Sequence, residues 1–298
     1  MSRRAEPAAT ADAPVTTRAA VRAGRQRERD RPAWEPVRDS LLRALYRSAI
    51  VLVFIAIVTP LVIVVLSSFG DGLYFAFPPK GFGVVAYQRF WANDRLRSAL
   101  TVTMVVALAT MVLALLLAGP AAYAIDRFRF RGRRLLETWL MSPILLPVLV
   151  LAVALLMFIS QLKIPRSLWV LVAAHVLVAT PFALRVLLSS LAGFDRTLEE
   201  ASASLGAQPF ETLRRVTIPV LQPGILAAAV LAFVISFGQI TLSLFLAGQG
   251  LTTLPVEVFL IADWGYDVAI TAVSVVVIVV ALVVLTIVEL TTGVERVV

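Results

Sequence analysis

The chain has 298 residues, 59% of them hydrophobic, and a mean hydropathy of +0.89. A soluble domain is about 45–50% apolar, and the excess here lies in long uncharged runs, so the composition fits a bilayer as solvent. The formal charge of +8 does not indicate nucleic acid, because the cations fall between apolar runs rather than on one patch. With no cysteine, disulfide and thiolate chemistry are excluded.

Residues 1–36 are rich in Arg, Ala and Pro with few large apolar side chains, the composition of a disordered tail. Residues 37–47 put Val37, Leu41 and Leu45 on one helical face with Arg38 and Arg43 elsewhere, which predicts an amphipathic juxtamembrane segment. From residue 48 to 298 the chain reads as one transmembrane domain. Six apolar runs suit helices of roughly 20 residues. They lie at about Ser48–Ser68, Leu100–Ile125, Thr138–Phe158, Leu168–Leu191, Pro223–Leu246 and Val268–Leu290. No alternating strand pattern is present, so the predicted fold is an all-α polytopic membrane protein with six transmembrane helices.

With the amino terminus inside, 21 of the 27 Lys and Arg residues fall in inner segments and 6 in outer ones. The positive-inside rule therefore places both termini in the cytoplasm.

The chemistry that is missing narrows the function. The only lysines, Lys80 and Lys163, lie in no Gly-x-x-x-x-Gly-Lys-Ser/Thr loop, so the chain has no P-loop of its own for ATP. One histidine, His175, rules out a His-Glu-x-x-His zinc site, and no nucleophile elbow occurs. No metal or cofactor is expected, and no enzymatic activity. The spans also lack the charges that ion relays use. His175 sits mid-span, where hydrogen bonding to a neighbouring helix and lining of a solute path both suit it. In the fifth run Ser236, Gln239, Thr241 and Ser243 are polar and neutral, and the same two roles are open to them.

The polar stretch after Leu191 is patterned. Thr197 followed by Glu200 fits a capping box, Leu198, Ala201 and Leu205 share one face, and Gly206 suits a helix end. Pro209 suits the start of a second helix whose apolar face is Phe210, Leu213 and Val216, with Pro219 and Pro223 stopping it and opening the fifth span. Two short amphipathic helices around Gly206 suit docking to a partner protein or packing on the bundle itself; periodicity alone does not choose.

This stretch resembles the cytoplasmic loop of permease subunits of binding-protein-dependent ABC importers. That family carries Glu-Ala-Ala, three residues, Gly, nine residues, then Ile-x-Leu-Pro. Here Glu200-Ala201-Ser202 leads through Leu205 to Gly206, and nine residues later comes Val216-Thr217-Ile218-Pro219. Spacing matches throughout, with Ser202, Val216 and Ile218 as conservative departures. The resemblance spans residues 48–298, and further stretches are similar to the spermidine/putrescine-type branch, among them "FPPKGFGVVAYQRFW", "DRFRFRGRRLLE", "MSPILLP" and "TTLPVEVF". It implies the type I importer permease fold, in which the loop at about 195–220 is a coupling helix docked on an ATPase subunit. It further implies a second permease subunit, as a heterodimer, two cytoplasmic ATP-binding subunits that bind the ATP, an extracytoplasmic substrate-binding protein, and the cell membrane of a prokaryote. A polyamine is the implied solute. Against that branch, the fifth run carries Gly238-Gln239 where a polycation would favour carboxylates, which keeps opines, amino acids and sugars in view.

Overall fold

The computed structural model describes residues 34–72, 76–264 and 267–292. The chain divides into two units, residues 1–62 and 63–298. In the first, helix α1 (Trp34–Ser68, continuing into the second unit) runs without a break from the juxtamembrane segment into the apolar run, and most side chains between residues 42 and 62 are exposed. The predicted tail lies outside the described residues, except for 34–36, with which α1 opens.

The second unit is all helical among its described residues, apart from a single bridge between Gly70 and Phe82. After α2 (Val85–Ala92) comes α3 (Asp94–Arg127), whose start is capped by Asn93: its side chain accepts from the backbone N–H of Arg95 at 3.0 Å and of Leu96 at 3.3 Å. Then follow α4 (Arg133–Met141), a 3₁₀ turn (Ser142–Leu145), α5 (Val148–Gln161) and α6 (Leu168–Ala192). Next are α7 (Thr197–Ser204), α8 (Pro209–Thr212), a π turn (Leu213–Thr217) and α9 (Ile218–Phe237). The chain closes with α10 (Ile240–Leu246), α11 (Leu254–Trp264) and α12 (Ala269–Thr292).

Helices α3, α6 and α9 form the centre of this unit, and alanine lets them approach closely. Ala114, Ala179 and Ala232, one from each helix, are fully buried against one another. Ala118, Ala122, Ala183 and Ala228 extend the contact along the same three helices. The approach of α9 to α6 is tightest at Gly224, where a Cβ would collide with the Ser190 side chain. A second cluster joins α2 and the start of α3 to α11 and α12 through Phe90, Leu96, Leu254 and Ala269. The hydroxyl of Thr103 on α3 accepts the Leu254 N–H at 2.7 Å and so fixes where α11 begins.

Among the described residues, four helical segments have the length and apolarity to cross a membrane: Leu42–Ser68, Asp94–Arg127, Leu168–Ala192 and Pro209–Phe237. The other two predicted spans differ from simple rods. The third is not one helix over Thr138–Phe158. Its two halves, Arg133–Leu145 and Val148–Gln161, meet at 103°. Pro147 is the cause: it has no N–H for a helical bond, and it holds Leu146 extended at ψ 136. The sixth is apolar over Ala269–Val284. The fifth begins earlier than Pro223 and ends earlier than Leu246. It stops at Phe237, and Gln239, at φ −80 and ψ 103, separates it from α10.

Candidate functional site

Two places carry the candidate residues, a helical hairpin after α6 and the polar break between α9 and α10. The hairpin starts at Asp195. Its carboxylate accepts the Thr197 backbone N–H at 3.0 Å and the Thr197 hydroxyl at 2.8 Å. These two bonds, in that order, hold Asp195 below the ordinary carboxylate pKa. The predicted capping box between Thr197 and Glu200 does not form, because the helix starts one residue earlier than expected: Thr197 is already its first residue, and the Glu200 N–H bonds to the Arg196 carbonyl at 3.2 Å.

At the other end of α7 the chain reverses through Gly206, at φ +86. The Ala207 N–H bonds to the Ser202 carbonyl at 3.2 Å and the Gly206 N–H to the Ala203 carbonyl at 2.9 Å, the paired bonds of a Schellman cap. The Ser202 hydroxyl lies 3.0 Å from that of Thr212, which ties α7 to the returning chain. Ser202 thus does something in the hairpin that alanine could not.

Pro219 does not stop the second helix of the hairpin. The π turn takes up the register: the Ile218 N–H bonds back to the Leu213 carbonyl, five residues earlier, and the helix continues through Pro219 into α9. The hairpin is therefore a short helix folded back on the root of a long one. Glu200, Ala201, Gly206, Ile218 and Pro219 are exposed, and Ser202 and Val216 are half-buried. Leu205 is 90% exposed and Phe210 73%, so the hairpin tip presents two large apolar side chains outward.

At the helix break, His175 of α6 is buried with Ser236 and Ser243. Its Nδ1 lies 2.8 Å from the Ser236 hydroxyl and its Nε2 3.1 Å from that of Ser243. Ser243 donates to the Gln239 carbonyl at 3.1 Å. With that proton engaged, Nε2–H is the donor to Ser243 and Nδ1 accepts from Ser236, a neutral imidazole with both nitrogens satisfied. The imidazole bridges the two helices across their break. Gln239 and Thr241 are half-buried beside it, and neither side chain joins the His175 network.

Residues 118–291 match the family of binding-protein-dependent transport system inner membrane components. The chain belongs to this family. Over 217 residues this permease is 30% identical to the spermidine/putrescine transport system permease protein PotC of Haemophilus influenzae, covering 73% of this chain and 84% of that one. PotC of Escherichia coli K12 is 28% identical over 236 residues, 79% of this chain and 88% of its own. Among solved structures, a bacterial ABC transporter involved in the import of the acidic polysaccharide alginate shares the fold, with a TM-score of 0.70 and 16% identity, over 84% of this chain and 96% of that one. The protein is a membrane-embedded permease subunit of an ABC importer.

Four residues of this permease stand out in the structure that spacing did not single out. Asp126, Arg127 and Glu199 form a largely buried charged group where α3 ends and α7 begins. Arg127 could have been noticed as the first cation after an apolar run; nothing in the sequence marked Glu199 over its neighbour Glu200. The fourth is Glu257 on α11. It is only 9% exposed, and its carboxylate has no ion-pair or hydrogen-bond partner among the described residues. It lies just before the last helix rather than inside an apolar run, which hid it from a search of span centres.

Proposed function

We propose that this permease forms half of the translocation pathway of a polyamine importer, with six membrane crossings and both termini in the cytoplasm. A second permease completes a heterodimeric core. Two cytoplasmic ATPase subunits bind and hydrolyse the ATP, and a binding protein delivers solute from outside; this chain is not itself a catalyst. The hairpin of residues 195–220 is the coupling element. ATP binding closes the ATPase pair, the hairpins move with it, the spans open outward to take the solute, and hydrolysis resets them. The observation that carries this reading is the hairpin itself: the spacing from Glu200 through Gly206 to Pro219 folds into a capped reversal whose exposed tip is Leu205 and Phe210.

For the solute, similarity to PotC and the unpaired carboxylate of Glu257, a residue only 9% exposed, support a cation. A little-exposed carboxylate without a partner is a place where a positive group gains a charge pair. The neutral surroundings of Gln239 favour a second reading, an uncharged organic solute in the same kind of complex. Proteoliposomes holding both permeases and the ATPase subunits decide between them. With ATP inside and loaded binding protein outside, labelled spermidine should accumulate, and Glu257→Gln should raise its KM by about tenfold, as expected for a lost charge pair. No spermidine uptake, with uptake of a neutral sugar derivative instead, would overturn the polyamine reading.

A further inference from the structure

The two glutamates of the hairpin face different ways. Glu200 is exposed, whereas Glu199 turns inward and its carboxylate meets two other elements at once. Its Oε2 lies 3.0 Å from Nε of Arg127, the last residue of α3. Its Oε1 accepts the Thr217 hydroxyl at 2.6 Å, and Thr217 is fully buried in the π turn from which α9 grows. One carboxylate thus joins the loop helix to the ends of two central helices.

Arg127 is closely surrounded, and its Nε and Nη2 are buried without a hydrogen bond, so charge attraction rather than a bonded fork holds it to Glu199. Its side chain is 8% exposed, its Nη1 lies 2.7 Å from Asp126, and its guanidinium stands 5.0 Å from the ring centre of Phe194 and 5.9 Å from that of Tyr123. A second strut runs outside it: Arg196 reaches Asp126 at 3.1 Å, tying the residue before α7 to the end of α3. A cation buried this far depends on its carboxylates, and loss of one leaves a charge without compensation. Beyond the cluster, α3 and α9 are packed with α6 along the alanine contacts, so a displacement at their ends moves a block rather than one strand of chain.

We propose that Glu199 is the positioning residue that passes movement of the loop helix to the membrane helices, with Arg127 and Thr217 as its two receivers. Glu200 and the exposed tip face the partner, while Glu199 faces the bundle. This rests on the coupling role proposed above for the hairpin. It adds a division of labour between neighbouring glutamates: one side of α7 receives the push and the other delivers it. The two arms are separable, because Arg127 takes the displacement into α3 by charge and Thr217 takes it into α9 by a hydrogen bond.

The test uses the complete transporter in proteoliposomes, with solute uptake and ATP hydrolysis measured together. Glu199→Ala should keep the ATPase subunits bound and hydrolysing, while solute moved per ATP falls at least about tenfold. Thr217→Val, which keeps the side-chain shape and removes the donor, should lower the same ratio by a smaller factor. Thr217→Ser, which restores the donor, should return it close to the parent value. A merely structural role would lower assembly and both rates together and leave the ratio unchanged. If assembled Glu199→Ala and Thr217→Val complexes keep the parent ratio, the proposal is wrong. Glu200→Arg with Leu205→Asp separates this from failure of the coupling reading. If that pair leaves ATPase association and uptake intact, the hairpin is not the docking element. If it releases the ATPase subunits while Glu199→Ala keeps its ratio, only the present inference falls.

Discussion

Gly206 separates two explanations of a motif glycine, contact and conformation. It takes φ +86, and a Cβ built there meets no atom within 4 Å. Any penalty from a side chain in the isolated subunit is therefore conformational, about 1 kcal/mol for an L-residue in the left-handed region. Gly206→Ala should speed exchange of the amides of Gly206 and Ala207 in hydrogen-exchange measurements, and Gly206→Asn should do so less, because asparagine tolerates that region better. Equal and large losses for both in uptake, with unchanged exchange, would show instead that the ATPase subunit needs a bare backbone there. Asp195 at the other end of α7 titrates. Its folded pKa is depressed by the Thr197 bonds, so its contribution is present above the ordinary carboxylate pKa, about 3.9, and is lost as pH falls through the lower folded value. Protection of the Thr197 amide relative to its intrinsic exchange rate should fall as pH drops below the ordinary carboxylate range, and Asp195→Asn should flatten that dependence. The Glu200 motif was legible in the sequence because spacing is a one-dimensional property. Which of Glu199 and Glu200 turns inward was not, because neighbours on a helix differ by about 100° and only the packed partners, Arg127 and Thr217, fix the zero of that angle.

At the scale of elements, the apolar runs located the helices well, since hydropathy and length are what a bilayer selects. They did not locate the breaks. The runs stay apolar on both sides of Pro147 and of Gly238-Gln239, so composition cannot report that the backbone turns there. Pro219 misled in the opposite sense: a proline that normally ends a helix is absorbed by a π turn. The alanine contacts of α3, α6 and α9 were legible only as composition until their register was known. Two glycines test that register. Gly224→Val should drive α9 away from α6 against Ser190, costing about 1–3 kcal/mol and lowering the thermal midpoint of the detergent-solubilised complex. Gly119→Ala, on α3 with open space around its Cβ, should leave the midpoint unchanged or raise it slightly. If the two variants lower the midpoint equally, the close approach of α6 and α9 is not what Gly224 serves.

For the whole molecule the open point is parity, meaning how many times the chain crosses between the ends of α3 and α6. The charged cluster bears on it. Arg127 and Glu199 lie 3.0 Å apart, as Arg196 and Asp126 do at 3.1 Å, so the end of α3 and the segment after α6 share one side. Between them α6 makes one crossing, and a return to the same side requires one more. The bent pair of α4 and α5 is the only apolar segment between them, so in our reading it crosses despite its 103° bend instead of re-entering. Charge agrees, because the five arginines of residues 127–134 and the three of residues 196–215 then both face the cytoplasm. The cysteine-free chain allows a direct check with single cysteines at exposed positions and a membrane-impermeant maleimide. Lys80→Cys and Gln161→Cys should label in intact cells, and Arg131→Cys and Leu205→Cys only in inverted vesicles. Labelling of Gln161→Cys from the same side as Arg131→Cys would make the bent pair re-entrant. That would move Leu205 outside, away from any cytoplasmic ATPase, and the coupling role of the hairpin would fall with the six-crossing count.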